Sequence, residues 1–283
     1  MSILVTGANG NTGKELIQIL SSKGLHPVAA VRNPENKDLS GDVEHRLFDF
    51  SKPESWENAL EGISKVFLVR PPHISNIKKE MLPFLKYLKE RSLEQVLFMS
   101  VQGAENNPVI PHHKIEAYCR DLGLPWTFIR PSFFMQNLST THLIEIRDEN
   151  RVFVPSGEGK TNFIDVRDIA EIAAILLTRE GEIQKEYTIT GRQSYSHREI
   201  AEHLSRILER EIIFISPGAL RFIYYHLKKR KKLPMILVML ALYSVVRLGK
   251  GDISTNDAEL LLERPPRSLD EFIRNHRDLF QPE

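Results

Sequence analysis

The chain has 283 residues, 41% of them hydrophobic and 27% charged, which is enough to bury the core of one large domain or of one and a half. Its formal net charge of +1 excludes the global basic field that attracts nucleic acid, so no direct nucleic-acid partner is expected. The single cysteine, Cys119, excludes an internal disulfide and is typical of a reducing compartment. Because an apolar strand begins at once, no signal peptide is expected, and a cytoplasmic location is predicted.

The first predicted element is an apolar strand over residues 3–6, followed by three glycines at a spacing of three. Gly7 can make the sharp turn out of the strand, and Gly10 has no side chain to keep the backbone away from a phosphate. Gly13 opens a predicted helix over 13–23 and lets it pack closely on the sheet, while the free amides at the helix start hold negative charge. This order predicts dinucleotide binding, with a simple tight turn as the alternative. The loop residues expected to bind the cofactor are Gly7, Asn9, Gly10, Asn11, Thr12 and Gly13.

Strands and helices then alternate as far as residue 130. The further predicted strands cover residues 27–31, 43–48, 65–69, 95–100 and 126–130, and the further predicted helices cover 53–60, 74–91 and 112–122. Most of these strands are continuous apolar runs, which is typical of parallel strands covered on both faces. The alternation predicts an α/β fold, a Rossmann doubly wound parallel sheet that binds its ligand at the carboxyl ends of the strands.

Two strand ends bear on the adenosine half of a dinucleotide. Arg32 follows the second strand, where an acidic residue would select NAD and a basic one suits the 2′-phosphate of NADP. NADP(H) is therefore the predicted cofactor, with NAD(H) as the alternative; Asn33 and Lys37 are close enough to help, and an exposed loop arginine is the simpler interpretation. Asp49 follows the third strand and can accept from the adenine amino group, with the backbone of Phe50 beside it. The alternative for Asp49 is capping of the next helix.

The next strand ends bear on the nicotinamide half. Two prolines after the fourth strand stiffen a loop expected to follow the ribose, and Arg70 in that loop could meet a phosphate or remain a solvated charge. The hydroxyl of Ser100, at the end of the fifth strand, is predicted to lie beside the nicotinamide. The residues of these strand ends that are expected to contact the cofactor are Val69, Arg70, Pro71, Ser100, Val101, Gln102 and Pro131.

After Pro131 the pattern loosens into a smaller α+β lobe expected to bind substrate. Predicted strands cover 151–154, 186–190 and 211–215, and predicted helices cover 166–178, 197–208, 220–231, 235–248 and 268–276. The predicted domains are therefore residues 1–135, which bind the dinucleotide, and residues 136–283, which are interleaved with the first and not independent.

One segment of this lobe raises the question of a membrane. A run of five basic residues, 228–232, precedes an apolar run, 234–246, which is too short for a span of about 20 residues. No membrane span is therefore predicted. A buried helix with a solvated charged turn is the favoured interpretation, and a basic amphipathic helix lying on a surface is the alternative.

Several stretches together resemble a known family. They are residues 6–13, 100–104, 123–131 with 133–137, 163–170 and 264–272, and they span almost the whole chain in order. The chain resembles the short-chain dehydrogenase/reductase superfamily and, within it, the atypical NmrA-like branch. That resemblance implies an NAD(P)H-dependent quinone, azo or triphenylmethane-dye reductase, or a redox-sensing regulator that binds the dinucleotide without turnover.

The chain departs from the superfamily at the proton relay. Catalytic members carry a tyrosine and, four residues later, a lysine, whereas alignment by Glu116 places Pro108 and His112 at these positions. Proline cannot donate a proton, so the standard relay is absent. The imidazole of His112 could protonate a reduced substrate or hold the ribose, and His113 is the weaker candidate. Their alternative role is that of exposed residues in a first helical turn.

Apolar side chains after Pro131 predict a pocket for a flat hydrophobic acceptor: Phe133, Phe134, Met135 and, beside them, Asn137. The predicted function is hydride transfer from NADPH to a small apolar acceptor such as a quinone, with His112 and Ser100 as catalytic candidates. The alternatives are a redox sensor with a regulatory protein partner and, less favoured because the tyrosine base is missing, a nucleotide-sugar epimerase. A homodimer is left open, and no spacing of His, Cys, Asp or Glu indicates a metal site.

Overall fold

The central element is a seven-stranded parallel sheet, described by a computed structural model that covers residues 2–35 and 43–282. Its strands lie in the order β3-β2-β1-β4-β5-β6-β10, so the direction of winding reverses between β1 and β4. The bounds are β1 (Ser2–Val5), β2 (His26–Val31), β3 (Glu44–Leu47), β4 (Lys65–Val69), β5 (Gln95–Met99), β6 (Trp126–Ile129) and β10 (Lys185–Tyr187). The predicted doubly wound parallel sheet is confirmed.

Helices follow these strands and cover the sheet, because each has an apolar stripe to bury. They are α1 (Asn11–Ser22), α2 (Trp56–Leu60), α3 (Ile77–Glu80), α4 (Leu82–Lys89), α5 (Pro111–Asp121) and α8 (Val166–Thr178), with short 3₁₀ turns at Pro53–Ser55 and Ala104–Asn106. The predicted single helix over 74–91 is wrong in one respect, since it is broken at Met81. Pro83 lies in the first turn of α4, and a helix tolerates proline in its first turn but not in its interior.

The chain forms two compact units that alternate along the sequence. The first comprises the chain up to Pro131 together with Val166–Ile189 and Leu260–Glu263, and the second comprises Ser132–Asp165, Thr190–Glu259 and the chain from Arg264 onward. The boundary predicted after residue 135 lies close to the first crossing. Residues 166–189 and 260–263, which that boundary assigned to the second part, belong to the first unit, where β10 is the seventh strand of the sheet.

The second unit is built on two small sheets. One has the order β11-β9-β7 and the other pairs β12 with β8. The strands are β7 (Phe133–Phe134), β8 (Arg151–Phe153), β9 (Lys160–Ile164), β11 (Ser194–Ser196) and β12 (Ile213–Ile215), and the helices are α6 (Gln136–Ser139), α7 (Leu143–Arg147), α9 (His197–Leu208), α10 (Ala219–Lys228), α11 (Leu233–Arg247), α13 (Leu269–Asn275) and α14 (Arg277–Phe280). A last helix, α12 (Asp257–Leu262), crosses from the second unit into the first. Each unit has its own hydrophobic core.

Helix α11 corrects the prediction of a buried helix after the basic run. Only one stripe of it is buried, formed by Ile236, Met239, Tyr243 and Val246. The opposite side is exposed although it is apolar. Among the described residues no helix combines the length and apolarity needed to cross a bilayer.

Candidate functional site

The glycine loop lies where the strand order of the large sheet reverses. β1 and β4 are neighbours there, and the hydroxyl of Thr6 joins their carboxyl ends, donating to the Phe67 carbonyl at 3.0 Å and accepting from the Val69 amide at 2.8 Å. In doubly wound sheets a ligand binds at the carboxyl ends of the strands beside this reversal. The location therefore makes the loop after β1 the first candidate for a ligand site.

Glycine is required in this loop on geometric grounds. Gly7 has φ +65°, a left-handed conformation, and a Cβ on it would lie 3.2 Å from the Cβ of Val69. The Gly10 amide closes the turn by donating to the Gly7 carbonyl at 2.9 Å. A Cβ on Gly13 would lie only 2.3 Å from that carbonyl oxygen. The first turn of α1 thus rests directly on the backbone of the loop, which any side chain at Gly13 would push away.

The start of α1 fits the pyrophosphate of a dinucleotide. Gly10 caps the helix without a side-chain hydrogen bond, and the first turn, Asn11-Thr12-Gly13-Lys14, contains no carboxylate. Gly7, Asn9, Gly10 and Asn11 are exposed, whereas Thr12 and Gly13 are buried. A helix N-terminus with exposed glycine backbone in front of it presents amide groups and a positive dipole end to an anion.

Arg32 and Asp49 lie near each other at the carboxyl ends of β2 and β3. Arg32 is exposed directly after β2, and its charge contributes to the low pKa of Asp49. Burial raises the pKa of Asp49. The hydrogen bonds from Ser51 and the charges of Lys52 and Arg32 together lower it by more than burial raises it, so the carboxylate is ionised. One carboxylate oxygen of Asp49 accepts from the Ser51 amide and hydroxyl at 2.8 and 2.7 Å. These bonds form a local turn, so Asp49 does not cap the next helix, which was the alternative role. Of the other two adenosine candidates, Asn33 accepts from the Glu35 amide at 3.1 Å, and Lys37 lies outside the described residues.

Phe50, the neighbour of Asp49, serves the core with its side chain. Its ring is 8% exposed and meets the rings of Phe48 and Phe84 edge to face, with centroids 4.8 and 5.3 Å away. Only its backbone remains for the adenine contact that the sequence predicts.

Arg70 and His112 contact each other at the carboxyl ends of β4 and the start of α5. Arg70 Nη1 donates to the carbonyls of Pro71 and Ile74 and so holds the proline loop in place. Arg70 Nε points at His112 Nε2 at 3.4 Å, and the imidazole stacks on Phe98 with centroids 6.1 Å apart. Since an arginine only donates, His112 Nε2 is the acceptor, and the ring is neutral with its proton on Nδ1.

The pKa of His112 supports the same protonation state. Burial lowers it first, the Arg70 charge lowers it further, and Glu116 only partly opposes them, which leaves a pKa of about 4. A histidine with that pKa is a neutral imidazole at neutral pH, so the imidazolium form that acts as a general acid is not populated. His113 is committed elsewhere, because its Nδ1 lies 2.8 Å from the Ala104 carbonyl. Pro108, at the position of the superfamily tyrosine, is exposed and precedes α5.

Ser100 belongs to a buried polar network that sequence reasoning missed. Its hydroxyl donates to Glu116 Oε1 at 2.6 Å, and Arg130 binds both oxygens of the same carboxylate at 3.0 and 2.7 Å. Ser100, Glu116 and Arg130 are 1%, 0% and 4% exposed. Burial raises the pKa of Glu116, but the hydrogen bonds from Arg130 and Ser100 and the charges of Arg130 and Arg120 lower it below its usual range. The network is an ionised pair that fixes the ends of β5 and β6 against α5.

A sequence signal for this network existed. Glu116 lies on the apolar face of α5 between Ile115 and Cys119, and Arg130 ends an apolar strand. These positions predict that both charges are buried, and a buried charge needs a partner. Arg130 also bonds Glu186 at 2.6 Å, in β10, which joins the seventh strand to the sixth. Cys119 is buried in the core, and burial raises the pKa of its thiol.

The remaining cofactor candidates lie on the same carboxyl edge of the first unit. Val69, Pro71, Val101 and Gln102 are half-buried, and Pro131 is buried. The Gln102 amide donates to the Pro131 carbonyl at 3.0 Å, which ties the loop after β5 to the end of β6. The structure therefore brings all the predicted cofactor-binding residues, from Gly7 to Pro131, to one edge of one sheet.

The predicted substrate-pocket residues lie in the second unit. Phe133 and Phe134 form β7 and are half-buried, as is Asn137 in α6. Met135 is 1% exposed and packs in the core of that unit. Among the described residues no group of His, Cys, Asp or Glu could hold a metal ion.

Comparisons with known proteins agree with this arrangement. A model of the NmrA-like family matches residues 1–272. YesF, an uncharacterized oxidoreductase of Bacillus subtilis, is 30% identical over 97% of this chain and 94% of its own length. An NAD(P)H azoreductase of Xenophilus azovorans is 31% identical over 76% of each protein. The crystal structure of a Citrobacter triphenylmethane reductase with NADP(H) is similar at a TM-score of 0.86 and 24% identity, over 97% of this chain and 99% of that one.

Proposed function

The chain belongs to the NmrA-like family of NAD(P)H-dependent oxidoreductases, and we propose that it passes a hydride from NADPH to a small apolar acceptor such as a quinone. The observation that carries this proposal is the exposed glycine loop on which α1 begins, at the reversal of the sheet. Relatives named as an oxidoreductase and an azoreductase support the class of reaction.

The residues divide the work along the sheet edge. The amides of Gly10–Gly13 hold the pyrophosphate, Arg32 holds the 2′-phosphate, and Asp49 with the Phe50 backbone holds the adenine. Arg70, clamped by the carbonyls of its own loop, positions the ribose and nicotinamide side. When bound, NADPH supplies the hydride to the acceptor. The half-buried rings of Phe133 and Phe134 offer an apolar surface to a flat acceptor.

Reduction of a quinone also needs a proton, and we assign it to water. The neutral His112 accepts from Arg70 and has no proton to give at neutral pH, and the Ser100 hydroxyl is held by Glu116 in the core. A reduced quinone oxyanion takes its proton from solvent without a strong acid. His112 is then a positioning residue for Arg70, and the reaction does not require the missing tyrosine and lysine.

Turnover separates this function from the alternative of a redox sensor. Purified protein is mixed with NADPH and a panel of quinones, azo dyes and triphenylmethane dyes, and the loss of NADPH absorbance is followed. Acceptor-dependent loss supports the reductase. NADPH binding without turnover across the panel would favour a sensor with a protein partner.

Arg32→Asp is expected to reverse the cofactor preference. The exchange removes a guanidinium that pairs with phosphate and sets a second carboxylate near Asp49, so the NADPH dissociation constant should rise about ten-fold or more relative to that of NADH. Titration of both cofactors measures the ratio, and Arg32→Lys, which keeps the charge, is the control. An unchanged ratio would remove Arg32 from the binding site.

His112→Gln is expected to leave kcat within about three-fold and the pH profile unaltered, because glutamine keeps an acceptor for Arg70 and water supplies the proton. His112→Leu has no acceptor for Arg70, so Arg70 should be misplaced and the KM for NADPH should rise. If His112 were the general acid, both variants would lose about 100-fold in kcat, and the basic limb of the pH profile would disappear.

A further inference from the structure

Helices α10 and α11 expose an apolar face that the proposed function does not use. On α11 the exposed side chains are Met235, Leu237, Val238, Leu242 and Val245, each between 43% and 54% exposed. On α10, Leu220 and Tyr224 are 84% and 70% exposed. We call these seven residues the α10–α11 apolar face. Its exposed side chains are far more apolar than those of an ordinary surface helix.

The core does not explain this composition. The buried stripe of α11, which contains Ile236, Met239 and Tyr243, already supplies the packing of the helix. A helix that uses one stripe for packing normally carries charged and polar side chains on the other. Here the outer side lies outside the core of the unit, so its apolar residues need another role.

A basic cluster accompanies the apolar face. Residues 212–251 contain eight of the 38 Lys and Arg residues of the chain and none of its 37 Asp and Glu residues. Five of the eight, residues 228–232, form the last residue of α10 and the turn that joins it to α11. Lys229 pairs with Glu149 and Lys231 donates to the Thr141 carbonyl. Lys228, Arg230 and Lys232 are exposed and form no ion pair with any residue that the structure describes.

The stability of α11 does not explain the basic turn. Lys232 caps the N-terminus of this helix, where the macrodipole is positive and a cation is unfavourable. Cations at this position make the helix less stable, and an exposed apolar face beside them makes the protein less soluble. Both features are favourable together on a surface that offers acyl chains next to anionic headgroups.

We propose that the α10–α11 apolar face binds the surface of a membrane that carries anionic lipids. The 15 residues of α11 extend about 22 Å, less than the roughly 30 Å of a hydrocarbon core, so the helix lies in the interface and does not cross it. The apolar side chains enter the boundary between headgroups and acyl chains, and the basic turn contacts the headgroups. A second copy of the chain fits less well, because a symmetric contact would bring two clusters of the same charge together.

Sedimentation with vesicles tests the proposal on the full chain. The protein should sediment with vesicles of phosphatidylcholine mixed with phosphatidylglycerol, less with phosphatidylcholine alone, and less as salt is added. The triple variant Lys228→Gln, Arg230→Gln and Lys232→Gln should bind the anionic vesicles about 100-fold more weakly, at about five-fold per charge.

A matched control and an apolar variant separate the contributions. Lys78→Gln with Lys79→Gln and Lys86→Gln removes three exposed charges elsewhere and should bind like the wild type. Leu237→Gln with Leu242→Gln should lose vesicle binding while NADPH affinity, as a measure of folding, stays unchanged.

Two results would overturn the proposal. One is a protein that does not sediment with anionic vesicles, or does so equally well after the triple exchange. The other is a dimer in light scattering that Leu242→Gln dissociates, which would assign the face to a second copy.

Discussion

Gly13→Ala is expected to raise the dissociation constant of NADPH by about 100-fold or more, the loss of two charge-assisted hydrogen bonds of roughly 1.5 kcal/mol each. The added Cβ would lie 2.3 Å from the Gly7 carbonyl oxygen and 2.9 Å from the Ala8 Cα. Both are backbone atoms and cannot rotate away, so α1 must move off the loop. Its N-terminal amides then no longer face the position of the pyrophosphate. Titration with NADPH measures the loss.

Two other glycines show whether the contact itself is responsible. Gly10→Ala meets a single protein atom, the Gly7 carbonyl oxygen, at 3.1 Å, so it should displace α1 less than Gly13→Ala and cost less unfolding free energy, while its Cβ obstructs the phosphate directly. Gly218→Ala has no atom within 4 Å of its Cβ and should bind NADPH normally. The overpacking should also cost Gly13→Ala about 1–3 kcal/mol of unfolding free energy, which thermal denaturation reports. A folded Gly13→Ala protein with wild-type affinity would disprove the phosphate-loop assignment.

The sheet could be predicted from the sequence because parallel strands that are covered on both faces have continuous apolar sequences. All six strands predicted before residue 131 are present, with ends that differ by at most one residue. The placement of β10 could not be predicted, because Lys185 and Glu186 are exposed and charged instead of forming an apolar run, and the partner strand β6 is distant in sequence. The parallel backbone ladder with β6 assigns the strand to the large sheet, and the ion pair of Arg130 with Glu186 is a side-chain contact between the two.

The candidate site divides in the same way. Local backbone requirements, such as the positive φ of Gly7 and the close approach at Gly13, leave a mark in the sequence. Side-chain partnerships do not, because they depend on which residues the fold brings together. The sequence therefore predicts roles for Ser100 and His112 from their positions alone. Their protonation and accessibility depend on their partners, Glu116 and Arg70.

The outer face of α11 shows a third case. An apolar run of this length is compatible with a core helix, a surface helix on a membrane or an interface, and the sequence pattern cannot separate them. The structure excludes the core helix through the exposure of Leu237, Val238 and Leu242, and vesicle binding distinguishes the other two. The basic run at 228–232 was visible in the sequence, but its meaning depends on the exposure of the apolar residues that follow it.

Acid is expected to destabilise the protein strongly between about pH 7 and pH 5, through three histidines buried in the second unit. His142, His197 and His226 are at most 2% exposed. Burial is the main cause that lowers their pKa values, to about 3 for His197 and about 4 for His226, and well below the usual range for His142. The folded state holds these rings neutral, whereas the unfolded chain protonates them near pH 6.5.

The sign and size of the effect follow from proton binding. Below about pH 6.5 the unfolded state binds protons that the folded state excludes, so the unfolding free energy falls as the pH falls, until the folded-state pKa is reached. At pH 5 the loss is about 2 kcal/mol for each histidine and about 6 kcal/mol for the three, a large part of the 5–15 kcal/mol of a typical domain, and His112, whose pKa burial also lowers to about 4, adds a loss of the same sign. Paired carboxylates also weaken the fold in acid, but they titrate lower, so the range above pH 5 belongs to the histidines.

His226→Leu isolates one of the three contributions. Neither ring nitrogen of His226 has a hydrogen-bond partner among the described residues, and the ring packs against Phe222 at a centroid distance of 4.4 Å. An apolar side chain therefore loses no hydrogen bond there, and the variant should lose about 2 kcal/mol less than the wild type between about pH 8 and pH 5. Urea unfolding at a series of pH values measures the slope, with His26→Gln at an exposed position as the control. A wild-type unfolding free energy that stays constant over this range would mean that the three rings are not held neutral by burial, and an unchanged slope in His226→Leu would exclude His226 as a contributor.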